Sequence, residues 1–283
     1  MLIKSYREQF ISLLQSVYDA LEAEQVFYFL LEEVKQWTRV DLALHPTIEF
    51  SVEELQKMDE YLQRLLTHEP IQYVLGKTHF YGLELQVNPN TLIPRPETEE
   101  LVEWIIQENQ HKKNIQILDI GTGSGAIAIA LAKNLPNATV WALDVSEQAL
   151  QMAQKNALNN QVSITFLQED ILNLKDLPAK FDVIVSNPPY VRELEKVEIK
   201  PNVLNFEPHL ALFVSDQKPL VFYEKITQLA IQSLKVNGKL YFEINQYLPD
   251  LMKDLLMEYQ FQNIILKQDI YQNYRMISGT YHG

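Results

Sequence analysis

Cysteine is missing from all 283 residues, which removes disulfides, thiolate zinc sites and cysteine nucleophiles from consideration. A chain without thiols suits a reducing compartment, and a cytoplasmic location is expected. Long apolar runs are missing too: nothing approaches the roughly 18 apolar residues that a membrane span needs. The opening Met1-Leu2-Ile3-Lys4-Ser5-Tyr6-Arg7 is amphipathic rather than a charged head before an apolar core, so no signal peptide is expected. Positive charge is scarce, with 24 Lys and Arg against 37 Asp and Glu, a net charge of −13 and a pI near 4.9. Nonspecific binding to a phosphate backbone needs the opposite surplus, so nucleic acid is not expected as a partner. What is present is ordinary globular material, 47% hydrophobic and 22% charged, enough for one large domain or two ordinary ones.

Residues 1–77 read as helices. Ile3, Tyr6, Phe10, Leu13, Leu14, Val17 and Leu21 recur at three- and four-residue steps, and Val26, Phe27, Leu30, Leu31, Val34 and Trp37 do the same. A further helix opens with the capping-box pattern Ser51-Val52-Glu53-Glu54 and continues through Leu55, Met58, Leu62 and Leu65. Residues 1–85 hold seven basic and fourteen acidic side chains, about half the net charge in under a third of the length. A solvated bundle and a partner-docking domain both fit that distribution. Residues 78–95 read as a hairpin linker, with Phe80, Leu83, Leu85 and Val87 on one arm, a turn at Asn88-Pro89-Asn90, and Thr91-Leu92-Ile93 on the other. Pro94-Arg95-Pro96-Glu97-Thr98-Glu99-Glu100 leads into a helix as ordinary helix-start chemistry.

From residue 114 the rhythm becomes strand, helix, strand, helix. Such alternation predicts a mostly parallel sheet with helices on both faces, an α/β domain over residues 96–283. Residues 261–266 and 275–281 read as a closing antiparallel pair, and residues 191–216 as a long irregular stretch that covers an active site. The first strand ends in Asp119-Ile120-Gly121-Thr122-Gly123-Ser124-Gly125. Glycines at a strand-to-helix turn let a ligand approach the backbone, and the helix start offers free N–H groups. Gly121, Gly123 and Ala126 also satisfy the dinucleotide pattern, so this loop alone does not separate NAD from S-adenosylmethionine. Asp144 ends the next strand, placed to accept from a ribose diol. Glu169-Asp170-Ile171 ends the third, where an acid would take an adenine amine and Ile171 would cover the ring.

The stretch that decides the chemistry is Ser186-Asn187-Pro188-Pro189-Tyr190, after the apolar run Phe181-Asp182-Val183-Ile184-Val185. Neither proline has an N–H and each restricts the residue before it, so the strand stops abruptly and holds Asn187 at its carboxyl end. The Asn187 carboxamide oxygen and the Pro188 carbonyl are two acceptors for the two hydrogens of an –NH2 group, and Tyr190 offers an apolar face to a planar one. Cofactor and amine acceptor across one cleft suit methyl transfer and have no evident use in hydride transfer. No metal site is expected.

These residues resemble the S-adenosylmethionine-dependent methyltransferases with a seven-stranded Rossmann-like sheet. Within them the chain is similar to the PrmC/HemK family, which methylates the glutamine N5 of peptide chain release factors. The resemblance runs over the helical N-terminal domain, residues 69–76, the hairpin at 80–94, Arg95-Pro96-Glu97-Thr98-Glu99, residues 119–125, Asp144, Asn187 to Tyr190, Glu207-Pro208 and Ala211-Leu212. Two positions depart from it, Asn245 and Gln272 standing where the family usually carries glycine.

The resemblance implies that a small helical bundle precedes the methyltransferase domain and docks class 1 release factors. It implies S-adenosylmethionine held by Asp119, Gly121, Thr122, Gly123, Ser124, Gly125, Asp144, Asp170, Ile171 and Asn187. Asn187 and Pro188 are the expected catalytic pair, with Pro189 and Tyr190 completing the substrate site, in a monomer. Asn-Pro-Pro-Tyr is shared with enzymes that methylate exocyclic nucleobase amines, so a nucleobase or a ribosomal-protein glutamine stands as the alternative substrate, and a noncatalytic adaptor as the alternative class.

Overall fold

A computed structural model describes residues 1–283, which fall into two compact units: Met1–Leu75 with Pro201–Phe206, and Gly76–Lys200 with Glu207–Gly283. In the first unit, helices α1 (Ile3–Leu14), α2 (Ala20–Lys35), α3 (Arg39–Leu44), α4 (Val52–Leu66) and α5 (Ile71–Leu75) follow one another. Their apolar stripes converge: α1 buries Ile3, Tyr6, Phe10 and Leu14, α2 buries Phe27, Leu30 and Leu31, and α4 buries Met58, Leu62 and Leu65. Phe10 and Phe27 meet edge to face at 5.5 Å, a favoured aromatic geometry. The first helix is shorter than its periodicity predicts. Asp19 accepts from Glu22 N and starts α2 there, so Val17 and Leu21 are not on α1, and Leu21 is exposed. The Ser51 capping box forms as read, Ser51 Oγ taking Glu54 N and the Glu54 carboxylate taking Ser51 N.

The second unit opens with a hairpin of β1 (Lys77–Phe80) and β2 (Leu83–Gln86). Its turn is at Tyr81-Gly82 and not at residues 88–90, and residues 91–93 form no strand. Both turn residues have positive φ, 50° and 74°, the left-handed geometry whose twist matches the flanking strands. A tyrosine in that position is not a sequence signal. The order then runs α6 (Pro96–Asn109), β3 (Gln116–Ile120), α7 (Ala126–Asn134), β4 (Thr139–Asp144), α8 (Glu147–Asn159), β5 (Ile164–Gln168), β6 (Phe181–Ser186) and β7 (Val191–Arg192). A 3₁₀ turn (Glu193–Glu198), α9 (Pro201–Phe206, which belongs to the first unit), α10 (His209–Leu212) and β8 (Phe213–Val214) come next, so residues 191–216 are built from short elements rather than irregular chain. The chain closes with α11 (Val221–Ser233), β9 (Leu234–Glu243), α12 (Pro249–Glu258), β10 (Gln262–Gln268) and β11 (Tyr274–Tyr281).

Seven strands form one sheet in the order β10-β11-β9-β6-β3-β4-β5. The pairs among β9, β6, β3, β4 and β5 are parallel, while β11 runs antiparallel to both β9 and β10. One core cluster gathers Leu101, Ile105, Ile129, Leu131 and Val183, and a second gathers Leu118, Ile184, Ile226, Leu240 and Met252, as expected of a sheet with helices on both faces. From β3 the order steps one way to β4 and β5, and the other way to β6. Ligands bind outside the carboxyl ends of strands at such a reversal. No helix is long and apolar enough to cross a membrane.

Candidate active site

Register brings the two sequence motifs together. Ile120 is paired with Ser186 across β3 and β6, and Ser186 Oγ donates to Ile120 O at 2.6 Å, so Gly121 and Asn187 leave the sheet side by side. A Cβ on Gly121, whose φ is +75°, would lie 4.0 Å from the Asn187 carbonyl oxygen. Gly125 caps α7 at φ +85°, and a Cβ there would come within 2.9 Å of Ile129 Cδ1 and 3.1 Å of Ala153 Cβ. Only glycine lets the loop pass this close to α8. The loop is held from β4: Gly121 N and Thr122 N donate to Leu143 O, and Gly123 N donates to Asp144 Oδ2 at 2.8 Å.

A cavity of about 320 Å³ opens over this strand edge, within the range of small-molecule sites. Gly121, Gly123, Asp144, Asp170, Ile171, Asn187, Pro188 and Pro189 line it; Asp119, Thr122, Ser124, Gly125 and Tyr190, also expected at the site, do not. Leu92, Leu210 and Phe222 add apolar surface. Asp144 Oδ1 accepts from Ser146 N at 2.9 Å as Oδ2 accepts from Gly123 N, and each oxygen keeps a lone pair. Burial pushes the Asp144 carboxyl up, against the pull of these backbone N–H groups. Asp170 is likewise engaged locally, by Leu172 N and Asn173 Nδ2. The lining carries three carboxylates, Asp144, Glu169 and Asp170, and neither Lys nor Arg.

The Asn187 carboxamide is tethered. Its Nδ2 donates to Thr98 Oγ1 at 3.3 Å, and Thr98 Oγ1 donates to Glu243 Oε2 at 2.6 Å. Tyr190 OH donates to the other oxygen, Glu243 Oε1, at 2.9 Å. Burial and the Glu243 carboxylate push the Tyr190 hydroxyl up, so it stays a donor.

Asp119 is fully buried; Oδ2 accepts from Thr122 Oγ1 at 2.7 Å, while Oδ1 makes no hydrogen bond of ordinary geometry. Burial pushes this carboxyl up to about 7. The native state therefore keeps a proton that the unfolded chain releases near 4, and stability falls as pH rises from about 4 to about 7. Asp119→Asn lacks that penalty and keeps an acceptor for Thr122. It is expected to be more stable than the parent by about 2–4 kcal/mol at pH 8 and nearly equal to it at pH 4. Denaturant titrations at both pH values measure this; an equal difference at the two would contradict the assignment.

The family model of the PrmC N-terminal domain matches residues 6–76, and that of the methyltransferase small domain matches residues 98–205. The release factor glutamine methyltransferase of Flavobacterium psychrophilum is 58% identical over 284 residues, covering 99% of this chain and 100% of the relative. The chain belongs to the release factor glutamine methyltransferase family. The Bacteroides thetaiotaomicron member is 41% identical, over 94% of this chain and 96% of its own. Two solved structures share the fold. A methyltransferase from Pyrococcus furiosus is 16% identical, with a TM-score of 0.52 over 82% of this chain and 100% of that one. The T. thermophilus rRNA methyltransferase RsmC, in complex with AdoMet and guanosine, is 19% identical, with a TM-score of 0.53 over 73% of this chain and 50% of that one.

The roles of several residues of this methyltransferase escaped the sequence reading. Thr98 sits in a segment read as a helix start, and 145 positions separate it from Glu243. A sequence signal existed for Glu243, an acid inside the apolar run Tyr241-Phe242-Glu243-Ile244, since acids are rarely fully buried without partners. Buried Glu207 accepts from Arg95 at 2.6 Å and from Ile93 N at 3.2 Å, fastening the segment before α6 to the start of the Pro208, Leu210 and Ala211 wall. Asn245 is distant in sequence from the amine motif but not in space: its Nδ2 donates to Tyr190 O at 3.0 Å and to Glu195 Oε2 at 3.0 Å. Gln272 has φ +67°, a conformation in which glycine is the unstrained residue.

Proposed function

We propose that this chain, as a cytoplasmic monomer, transfers a methyl group from S-adenosylmethionine to the side-chain amide nitrogen of the glutamine in the Gly-Gly-Gln motif of class 1 peptide chain release factors. Residues 1–77 dock the release factor, residues 78–95 link, and residues 96–283 carry the chemistry. The observation that carries the reading is the Asn187 carboxamide at the sheet's reversal point, its NH2 engaged by Thr98, with Asn187 and Pro188 both lining the cavity.

The residues present fit the cofactor. Gly121 and Gly123 give it a floor without side chains, Asp144 has lone pairs for a ribose diol, and Ile171 gives an adenine ring an apolar wall. A lining of three carboxylates without a Lys or Arg suits a cationic sulfonium better than an anionic dinucleotide. When bound, S-adenosylmethionine supplies a methyl carbon made electrophilic by the adjacent sulfonium.

An amide nitrogen is a poor nucleophile because its lone pair is delocalised into the carbonyl. Asn187 Oδ1 and Pro188 O take one N–H each, fix the plane of the substrate amide, and favour positive charge growing on its nitrogen. The proton then leaves to water, since the alkylated nitrogen is acidic, and no general base is required. Pro208, Leu210 and Ala211, which line the same cavity, cover the substrate loop. Peptide mass mapping tests the reading: after incubation with S-adenosylmethionine, the Gly-Gly-Gln peptide of a release factor gains a single methyl group. A methyl group on any other peptide, or none, would overturn it.

A further inference from the structure

We infer that Thr98 and Glu243 are positioning residues that set the polarity of the Asn187 carboxamide, so that Oδ1 rather than NH2 meets the substrate nitrogen. The inference rests on the glutamine-amide reading above and adds residues to it.

The two ends of an asparagine carboxamide are nearly isosteric, so its shape does not choose which end faces a ligand. Its hydrogen-bond partners must choose. A flipped Asn187 would present two N–H bonds to a substrate that also presents two, and binding and orientation would both fail. A threonine hydroxyl has one proton and can serve either polarity: donating to Asn187 it would draw the carboxamide oxygen, and accepting from Asn187 it draws the NH2.

Glu243 removes that freedom. Both of its side-chain oxygens accept, Oε1 from Tyr190 OH and Oε2 from Thr98 Oγ1 at 2.6 Å, so the Thr98 proton is taken and Thr98 Oγ1 keeps its lone pairs for Asn187 Nδ2. In this relay Thr98 and Glu243 are enclosed, 3% and 1% exposed, so water does not compete for the bond between them. Glu243 is itself aimed from both sides: Tyr190 OH holds Oε1, and Tyr223 OH donates to the Glu243 carbonyl at 2.9 Å. One carboxylate thus orients two members of the Asn-Pro-Pro-Tyr motif. Thr98 reaches it from the first turn of α6, where Thr98 N donates to Arg95 O. The segment around Arg95 therefore does more than start a helix.

The test uses the full chain with release factor and the variants Thr98→Val, Thr98→Ser and Glu243→Gln, plus Thr98→Val combined with Asn187→Ala. Thr98→Val is expected to lower kcat about tenfold, the scale of one net hydrogen bond, with KM for the release factor unchanged. Thr98→Ser keeps the hydroxyl and recovers most of that loss. Glu243→Gln is expected to match Thr98→Val or exceed it. With Tyr190 holding the oxygen of the introduced amide, the new NH2 donates to Thr98 and hands the hydroxyl proton to Asn187. On an Asn187→Ala background, Thr98→Val is expected to add nothing, because its effect runs through Asn187. An unchanged kcat, or the same tenfold loss without Asn187, would overturn the inference, the latter being the mark of a merely structural residue.

A readout without turnover separates this from the substrate assignment. With ¹⁵N-asparagine labelling, the Asn187 NH2 resonance, identified by its loss in Asn187→Ala, is expected to exchange slowly with solvent in the parent and rapidly in Thr98→Val. Equal exchange in both would sink the relay even where the enzyme is active. If the parent leaves the release factor unlabelled, the substrate reading fails, and the resonance still decides the relay.

Discussion

Asn187→Ala is expected to lower kcat by about 10²-fold or more, the scale of losing one preorganised polar group at a reacting centre. The loss falls on kcat because the carboxamide oxygen is worth most when positive charge has grown on the substrate nitrogen. The fold should tolerate the change. Asn187 is only half-buried, its single side-chain bond is the 3.3 Å contact to Thr98, and the β3–β6 edge is held independently by Ser186 Oγ on Ile120 O. Single-turnover kinetics with saturating cofactor and release factor isolate the step. Turnover near that of the parent, with cofactor still bound, would remove Asn187 from the chemistry.

The second large effect belongs to the cofactor side. Asp144→Ala should weaken S-adenosylhomocysteine binding by about 10²-fold, since bonds to a charged group contribute roughly 1.5–3 kcal/mol each. The carboxylate does two things. Its Oδ2 and Oδ1 hold Gly123 N and Ser146 N, which shapes the loop after β3 and the start of α8, and its remaining lone pairs face the cavity lined by the same residues. Alanine forfeits both, whereas Asp144→Asn keeps one acceptor and should lie between. Calorimetric titration with S-adenosylhomocysteine separates affinity from turnover, and kcat at saturating cofactor should remain close to the parent's. An unchanged Kd for Asp144→Ala would remove the residue from the cofactor site.

Local patterns made much of the fold readable. Alternating apolar runs from residue 114 onward mark the strands and helices of the sheet because each element has to bury one face, and Ser51 with Glu54 announces α4 because both groups of that box lie within one turn. The ends of β3, β4 and β6 were legible through the glycine loop, Asp144 and Asn187, all of which the topology carries to one strand edge. Misreadings came where a single local bond overrode a periodic pattern. Asp19 ends the apolar rhythm of the first helix, and the left-handed pair Tyr81-Gly82 moves the hairpin turn away from the more proline-rich residues 88–90.

Hidden altogether were the pairings between distant segments. Nothing local in Thr98 says that Glu243 is its partner, nothing in Glu207 says that Arg95 is, and Asn245 stands at a position where glycine was expected. These bonds exist only once the sheet has brought β6 and β9 together and set α6 beside them. Several of them surround the Asn-Pro-Pro-Tyr segment, so a motif can be legible in sequence without disclosing what holds it in place.

The most direct test is transfer of labelled methyl from S-adenosylmethionine in one reaction series. It offers a purified class 1 release factor, the same factor with the Gly-Gly-Gln glutamine changed to alanine, and mixed DNA and RNA. Label on the unaltered release factor alone is the expected result. Label on the alanine variant or on nucleic acid would contradict the assigned substrate and leave Asn187 serving an amine of a different kind.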